Sequence, residues 1–429
     1  MRKVKLTKES TKDILETLLK RSPNNYGKYE DAVADILAKV KAEGDEALFA
    51  FTREFDKVEV TKETIRVTPE EIEEAYKLVD PSLIDVIKKA LVNIRSYHEK
   101  QLQNSWFTST TDGTMLGQKV TALNRVGVYV PGGKAVYPSS VLMNIVPAKV
   151  AGVDRIVMTT PPGKDGNPNP NIMAAAAVAG VDKVFLVGGA QAVAALAYGT
   201  EKIPKVDKIV GPGNIFVATA KKLLYGIVDI DMVAGPSEIL IVADKTADPA
   251  FLAADLMSQA EHDKMASAIL LTTSLELAKA TLHEIDKQLK YLERQVIIEE
   301  SLENYGEIIV CEDLTQAIDF ANELAPEHLE LCVAEPLKYI GKVDNAGSVF
   351  LGNWSPEPLG DYYAGPNHVL PTSGTAKFFS PLSVDSFIKK SSFIYYTPDE
   401  LRKAKDDIIK LADTEGLTAH ANSIKVRFE

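Results

Sequence analysis

From about Asn124 onward, short β-branched runs alternate with Ala-rich helical runs, and that alternation constrains the fold more than any other feature of the chain. Val126–Val130 reads as a strand, Pro131-Gly132-Gly133 as a turn, and the residues from Ser139 as a helix. Arg155–Met158 and Lys183–Val187 read as strands, Ala190–Tyr198 as a helix, and Lys208–Val210 leads through Gly211-Pro212-Gly213-Asn214 into another helix. A second series starts near Glu238, with a strand over Ile239–Val242 and a helix over Pro249–His262. Strands over Ser267–Leu271, Glu307–Val310, Leu329–Val333 and Ser348–Leu351 follow. Strand–helix–strand units join parallel strands by a crossover, and a parallel sheet needs helices on both faces. Two such series predict an α/β protein with two doubly wound domains.

The first hundred residues differ. Glycine and proline are scarce, and apolar residues such as Leu37, Val40 and Leu48 recur at helical spacing. Thr68-Pro69-Glu70-Glu71 supplies an N-cap residue, a proline at the first helical position and acids in the first turn. Trp354 to Ala376 is a long loop rich in glycine and proline, and loops of that length inside a domain are usually functional or disordered. The organisation predicted is a helical segment over 1–120 whose job is packing, α/β domains over 121–237 and 238–381, and a C-terminal extension over 382–429. In that extension Ser392–Tyr396 reads as a strand and Pro398 to about Glu415 as a helix, followed by a polar tail. It is too small to fold alone and is expected to pack on the body or on a second subunit.

Charge and cysteine narrow the function. The 429 residues carry 48 Lys and Arg against 60 Asp and Glu, a net charge of −12, which repels phosphate backbones and argues against a nucleic-acid partner. Two cysteines, Cys311 and Cys332, lie in apolar strand-like stretches and make neither a disulfide framework nor a thiolate metal site, which points to a reducing compartment. Met1-Arg2-Lys3-Val4-Lys5 has charge with no apolar core behind it, unlike a signal peptide. The longest uncharged stretch, Val184 to Thr200, is broken by Gly188-Gly189 and is shorter than the roughly 20 apolar residues of a membrane span. The cytoplasm is the expected location, with no membrane partner.

Of six histidines, His98 and His283 stand in charged helical contexts and read as surface or packing residues. Gln259 and His262 are i and i+3 on one helix and share a face, where both could bind a metal. On spacing alone a polar helix end is the favoured reading, because a histidine with a glutamine is a weak metal signal. Glu327 and His328, in Ala325-Pro326-Glu327-His328-Leu329, pair a carboxylate with an imidazole, as acid/base chemistry requires, although their turn enters a strand rather than leaving one. A helix-ending proline with a solvated glutamate is the plain alternative. Asp361 and His368 in the long loop, and Glu415 with His420 in the tail, add further possible ligands. No CxxC, HExxH or EF-hand spacing occurs, so any metal site must be assembled from distant segments. A mixed nitrogen and oxygen set would suit Zn²⁺, with Mn²⁺ or Co²⁺ possible. The dinucleotide fingerprint GxGxxG is absent. Gly188-Gly189-Ala190-Gln191 and Gly211–Asn214 follow strands and open helices, as anion-binding turns and ordinary tight turns both do.

Together the motifs resemble one family. Arg125-Val-Gly-Val-Tyr-Val-Pro-Gly-Gly133, Gly211–Asn214, Ala234-Gly-Pro-Ser-Glu238, Ser258-Gln-Ala-Glu-His262, Ala325–Leu329, Gly360-Asp361, Asn367-His-Val-Leu-Pro-Thr372 and Glu415-Gly-Leu-Thr-Ala-His420 are similar, in order, to those of the histidinol dehydrogenases. The resemblance runs from about residue 120 to the end. It implies a zinc-dependent homodimer with two incomplete Rossmann-like domains, which would account for the missing glycine fingerprint. It also implies oxidation of L-histidinol by NAD⁺ to L-histidine through bound L-histidinaldehyde, the last two steps of histidine biosynthesis. Carried over residue by residue, the ligands of one Zn²⁺ per subunit are Gln259, His262, Asp361 and His420. The substrate shell is those four with Ser237, His328 and Glu415, and the NAD contacts are Tyr129, Gln191 and Asn214. His328 is the implied base for the alcohol and Glu327 the implied activator of water, while Glu415 and His420 act across the dimer. Rival readings are a paralogous zinc- and NAD-dependent dehydrogenase of another alcohol, such as a sulfonated polyol, a zinc hydrolase using Glu327 as base, and a non-catalytic binding protein.

Overall fold

The computed structural model describes residues 1–19, 27–132 and 137–429, so Gly133 of the first expected turn lies outside the described residues. The chain forms two compact units: Met1–Gln101 with Leu123–Phe387, and Leu102–Ala122 with Ile388–Glu429.

The larger unit holds two six-stranded sheets. In the first the spatial order is Arg66–Val67, Lys183–Leu186, Arg155–Thr160, Arg125–Tyr129, Lys208–Val210, Asp229–Ile230. In the second it is Arg2–Lys5, Gly306–Val310, Ser267–Thr272, Glu238–Ala243, His328–Cys332, Ser348–Leu351. Leaving out the added edge strand of each, both sheets run third, second, first, fourth, fifth in chain order. That is the doubly wound arrangement with its reversal between the first and fourth strands. All pairs are parallel except Arg66–Val67 with Lys183–Leu186.

Local chemistry explains the helices between them. Thr68 and Glu71 close a reciprocal capping box before Pro69–Leu78. Asn169, Asn214, Asp248, Ser274 and Asp313 each cap a crossover helix by accepting backbone N–H bonds. Pro170–Ala179 and Gly189–Tyr198 are rich in alanine and mostly buried, so both can lie close on the first sheet. Among the described residues no helix is long and apolar enough to cross a membrane.

The smaller unit is an antiparallel sheet in the order Ile388–Tyr395, Met115–Ala122, Trp106–Ser109, with helices Pro398–Thr414 and Thr418–Lys425. Trp106, Phe107, Ile394 and Tyr395 are exposed on its strands.

Several expectations change. The 1–120 segment, read as helical, also contains strands at Arg2–Lys5, Arg66–Val67, Trp106–Ser109 and Met115–Ala122. Two- and four-residue edge strands borrow their hydrogen bonds from distant partners and leave little local pattern to read. The strand of the extension spans Ile388–Tyr395, and its tail ends in a helix rather than a coil. The Trp354–Ala376 loop contains the helix Glu357–Tyr362. Helix Pro249–Ala260 stops short of His262, which sits in the turn beyond its C-cap Glu261. His98 is a packing residue, fully buried with Nδ1 against Gln101 Oε1 at 2.7 Å, and His283 is exposed. Both cysteines are free and buried.

Candidate active site

In parallel sheets the usual ligand crevice lies at the carboxyl ends of the strands, where the strand order reverses. The first sheet follows this rule. Tyr129 ends its first strand and Gly211-Pro212-Gly213-Asn214 follows its fourth, and those two strands are neighbours. The turn admits no side chain at Gly211, where φ is +116° and a Cβ would come within 2.0 Å of Tyr129 O. A buried ion pair braces it: Asp231 accepts Gly211 N at 2.8 Å and pairs with Lys221, whose ammonium also reaches Gly211 O at 3.1 Å. Tyr129 Oη accepts from Gly189 N at 3.2 Å, and Gln191 is buried one turn into the helix that Gly189 opens. The Asn214 carboxamide oxygen accepts from Phe216 N and Val217 N, so part of its capacity is used in capping. The three residues expected to contact NAD therefore all stand on this edge.

The second sheet does the opposite. Glu238, Ser267, His328 and Ser348 begin their strands side by side, so the acid/base residues stand at the amino edge. A helix that leaves the carboxyl end of one strand must run back to reach the start of the next. Helix Pro249–Ala260 thereby delivers Gln259, and His262 just beyond it, to that same edge. Ser237 lies there too, its carbonyl accepting from Ser267 N at 3.0 Å. The two edges meet. Ser140, near the start of the helix Pro138–Val150 that follows the first sheet's leading strand, has Oγ 3.4 Å from His368 Nε2. A cleft of about 390 Å³ lies beside the start of that helix, lined by Leu83, Ile87, Tyr137, Leu142, His262 and Tyr362 among others. Helix Pro81–Glu99, expected only to pack, contributes two of those walls.

His328 is held from behind. Its Nδ1 lies 2.9 Å from the carbonyl of Glu238, which can only accept, so Nδ1 carries a proton and, in the neutral imidazole, Nε2 presents the lone pair. That Nε2 is buried without a hydrogen-bond partner, 3.8 Å from both Glu357 Oε1 and Asp361 Oδ1, beyond hydrogen-bond range. Glu327 Oε2 accepts from Glu238 N at 2.8 Å and lies 3.5 Å from His328 Nδ1. Burial pushes the Glu327 carboxyl up to about 7, against the downward pull of His328 and the Glu238 amide. Burial lowers His328, but the charges of Glu327, Asp361 and Glu357 outweigh it and raise the imidazole to about 10. A divalent cation among those carboxylates would cancel much of that field and return the imidazole toward its neutral form.

The cluster is suited to such a cation. Ligand atoms of His262, Glu357 and Asp361 lie within 4.8 Å of one another. Both amide atoms of Gln259, itself fully buried, have no partner, and neither has Glu357 Oε1. Leaving such groups unpaired costs about 1–3 kcal/mol each, so their concentration at one point fits a bound ion. Burial lowers His262, keeping its imidazole neutral as a ligand must be. His368 Nδ1 lies 3.1 Å from the Asp361 carbonyl and so steadies that residue. Below the cluster Asp255 pairs with Glu330, and burial pushes Asp255 up to about 6 and Glu330 well above its ordinary value.

Of the expected ligands, Gln259, His262 and Asp361 belong to this unit. Glu415 and His420 belong to the smaller unit, at the C-cap of Pro398–Thr414 and within Thr418–Lys425, both exposed. Glu357 went unrecognised in the sequence. Its i,i+4 relation to Asp361 is a helical signature, masked by Pro358 and Gly360 within the same turn.

The chain is similar to known proteins over nearly its whole length. The sequence pattern of the family described as histidinol dehydrogenase matches residues 19–428. The chain is 58% identical to a histidinol dehydrogenase of Clostridium acetobutylicum over 414 residues, 96% of each chain, and 55% identical to one of Listeria monocytogenes serovar 1/2a over the same length and share. The crystal structure of histidinol dehydrogenase from Elizabethkingia anophelis superposes with a TM-score of 0.93 at 40% identity, covering 100% of this chain and 98% of that one. Topology, site and sequence converge, and the chain belongs to the histidinol dehydrogenase family.

Proposed function

We infer that the chain oxidises L-histidinol to L-histidine, with L-histidinaldehyde held between two hydride transfers, as the last two steps of histidine biosynthesis. The observation that carries this reading is His328. A buried imidazole with its Nδ1 proton fixed by Glu238 O aims an unpartnered Nε2 at a cation-ready cluster. Two groups would complete the chemistry when bound: one Zn²⁺ per subunit, which would hold and orient the substrate, and NAD⁺, which would accept the hydrides.

The chain's own residues do the rest. Gln259, His262 and Asp361 hold the cation from the larger unit, and His420 completes the set across a homodimer. Ser237 and Glu415 line the substrate. Tyr129, Gln191 and Asn214 bind the cofactor at the carboxyl edge of the first sheet. His328 Nε2 takes the hydroxyl proton as the first hydride leaves carbon. Glu327 takes a proton from water as it adds to the aldehyde, while His328 returns its proton to the aldehyde oxygen to give the gem-diol; the freed Nε2 then takes a hydroxyl proton of the gem-diol as the second hydride leaves. The balance is one alcohol, one water and two NAD⁺ in; one carboxylic acid, two NADH and two protons out, the acid losing a further proton at neutral pH. Apolar side chains exposed on the strands of the smaller unit, Trp106, Phe107, Ile394 and Tyr395, support its use as a subunit contact. The reducing-type cysteines and the acidic surface support a cytoplasmic enzyme.

The test is NAD⁺ reduction by zinc-loaded protein with L-histidinol, a sulfonated polyol alcohol and a simple ester side by side. Histidinol alone should give NADH. NADH from the sulfonated alcohol alone would move the substrate, and ester cleavage without NAD⁺ would move the reaction to hydrolysis.

A further inference from the structure

Strand His328–Cys332 carries a second acid that the roles above leave unused. Glu330 stands two residues after His328, on the same face of the strand. It is 1% exposed, an environment a carboxyl group enters only with partners. One partner is the backbone: Glu330 Oε1 accepts from Glu357 N at 2.8 Å. Glu357 opens the six-residue helix that carries Asp361 one turn later, and the residue before it, Pro356, provides no side-chain cap. A helix this short, with Pro358 and Gly360 inside it, cannot hold its own geometry. A second is the Cys332 thiol, whose Sγ lies 3.9 Å from Oε2, and a third is Asp255, one turn before Gln259 on helix Pro249–Ala260. One side chain thus joins the helix that presents Gln259 and leads to His262, the strand that presents His328, and the short helix that presents Glu357 and Asp361.

We propose that Glu330 is a positioning residue of the cation site: by accepting from Glu357 N it fixes the helix bearing Asp361 relative to His262 and His328. This rests on the cation reading above. The role is one of reach and acceptor geometry, not of charge, so two conservative variants separate it from alternatives. Glu330→Gln keeps both the length and an oxygen acceptor for Glu357 N, and its amide can donate to Asp255. Glu330→Asp keeps the carboxylate but is one methylene too short to reach.

The experiment is zinc competition against a chromophoric chelator, with the visible spectrum of the Co²⁺-substituted protein as a second readout and NAD⁺ binding by calorimetry as a check on the rest of the fold. E330D should lose zinc affinity by about 10- to 100-fold, the usual cost of removing an outer partner of a ligand. It should also change the Co²⁺ band and leave NAD⁺ binding intact. E330Q should match wild type in all three. Asp255→Ala, which loosens the other end of the link, should lose zinc affinity in the same direction and covers the case of E330D failing to fold. The proposal is overturned if E330Q loses zinc as E330D does, or if E330D and Asp255→Ala keep wild-type affinity and spectrum. A wild-type chain that takes up no zinc removes the cation reading itself, whereas zinc uptake unchanged by E330D removes only the role of Glu330.

Discussion

Replacing Glu327 by glutamine tests the division of labour between the two buried residues. Glutamine matches glutamate in volume, and its oxygen can keep the 2.8 Å bond from Glu238 N. That same oxygen is the atom 3.5 Å from His328 Nδ1, which already donates to Glu238 O, so the amide nitrogen takes the place of Oε1 and sets no second donor against the imidazole. The fold should therefore hold, with an unfolding midpoint close to wild type. What disappears is a base that burial pushes up to about 7, near the pH at which a general base works best. General-base catalysis is worth about 10²–10⁴ in rate, or about 3–5 kcal/mol of barrier. Oxidation of supplied L-histidinaldehyde should fall by that factor in Glu327→Gln, while the first hydride transfer from histidinol, followed as NADH in a rapid-mixing single turnover, should fall much less. Equal losses in both half-reactions would refute the assignment. The carboxylate lies on the Nδ1 side of His328, so that outcome would make Glu327 a residue that acts through His328 rather than on water.

Three other perturbations follow from the geometry. Lys221 and Asp231 side chains are only 4% and 1% exposed, so Lys221→Met should cost about 3–5 kcal/mol in denaturant unfolding, and adding Asp231→Asn should recover part of it; additive losses would deny the pairing. Gln259→Leu removes two unpartnered amide atoms, so it should raise the stability of the zinc-free protein by about 1–3 kcal/mol while lowering zinc retention in a chelator titration; a loss of zinc-free stability would contradict the cation-ready reading. Zinc-free protein should lose stability as pH rises from about 6.5 to 8: Glu327 and Glu357, raised by burial from 4.5 to about 7 and about 8, hold protons in the folded state that the unfolded chain has already released, and His328, raised from 6.5 to about 10, adds the same sign, whereas the burial-lowered His98, His262 and His368 oppose it only below 6.5. Thermal melts with and without zinc check this, and a zinc-free melting point that rises with pH across the window would contradict it.

The fold was largely legible because both series of strands are near-continuous apolar runs, which is what strands covered on two faces require. Strand ends fell within a residue or two of their structural positions, since β-branched runs such as Lys208-Ile-Val210 stop where the glycine turns begin. The edge strands Arg2–Lys5 and Arg66–Val67 were not legible, because their stability comes from partners about 300 and 120 residues away along the chain. In the site, Gln259 and His262 could be singled out by a shared helix face, and Glu327 and His328 as an adjacent carboxylate and imidazole, but spacing alone decided neither pair. The amino-edge position of Glu327 and His328 could be noticed but not explained from the sequence, since only the meeting of two sheets turns an amino edge into a crevice wall. Glu357 and Glu330 were invisible for a related reason. Each is an ordinary glutamate until the strand His328–Cys332 and the short helix Glu357–Tyr362 come together.

The central claim is that one site carries out both oxidations without releasing the aldehyde. It is tested most directly by giving zinc-loaded protein excess NAD⁺ and a limiting amount of L-histidinol, and counting NADH formed per histidinol consumed. Two NADH per histidinol, with L-histidine as the product, is the expected result. One NADH per histidinol, with free aldehyde in solution, would contradict the account.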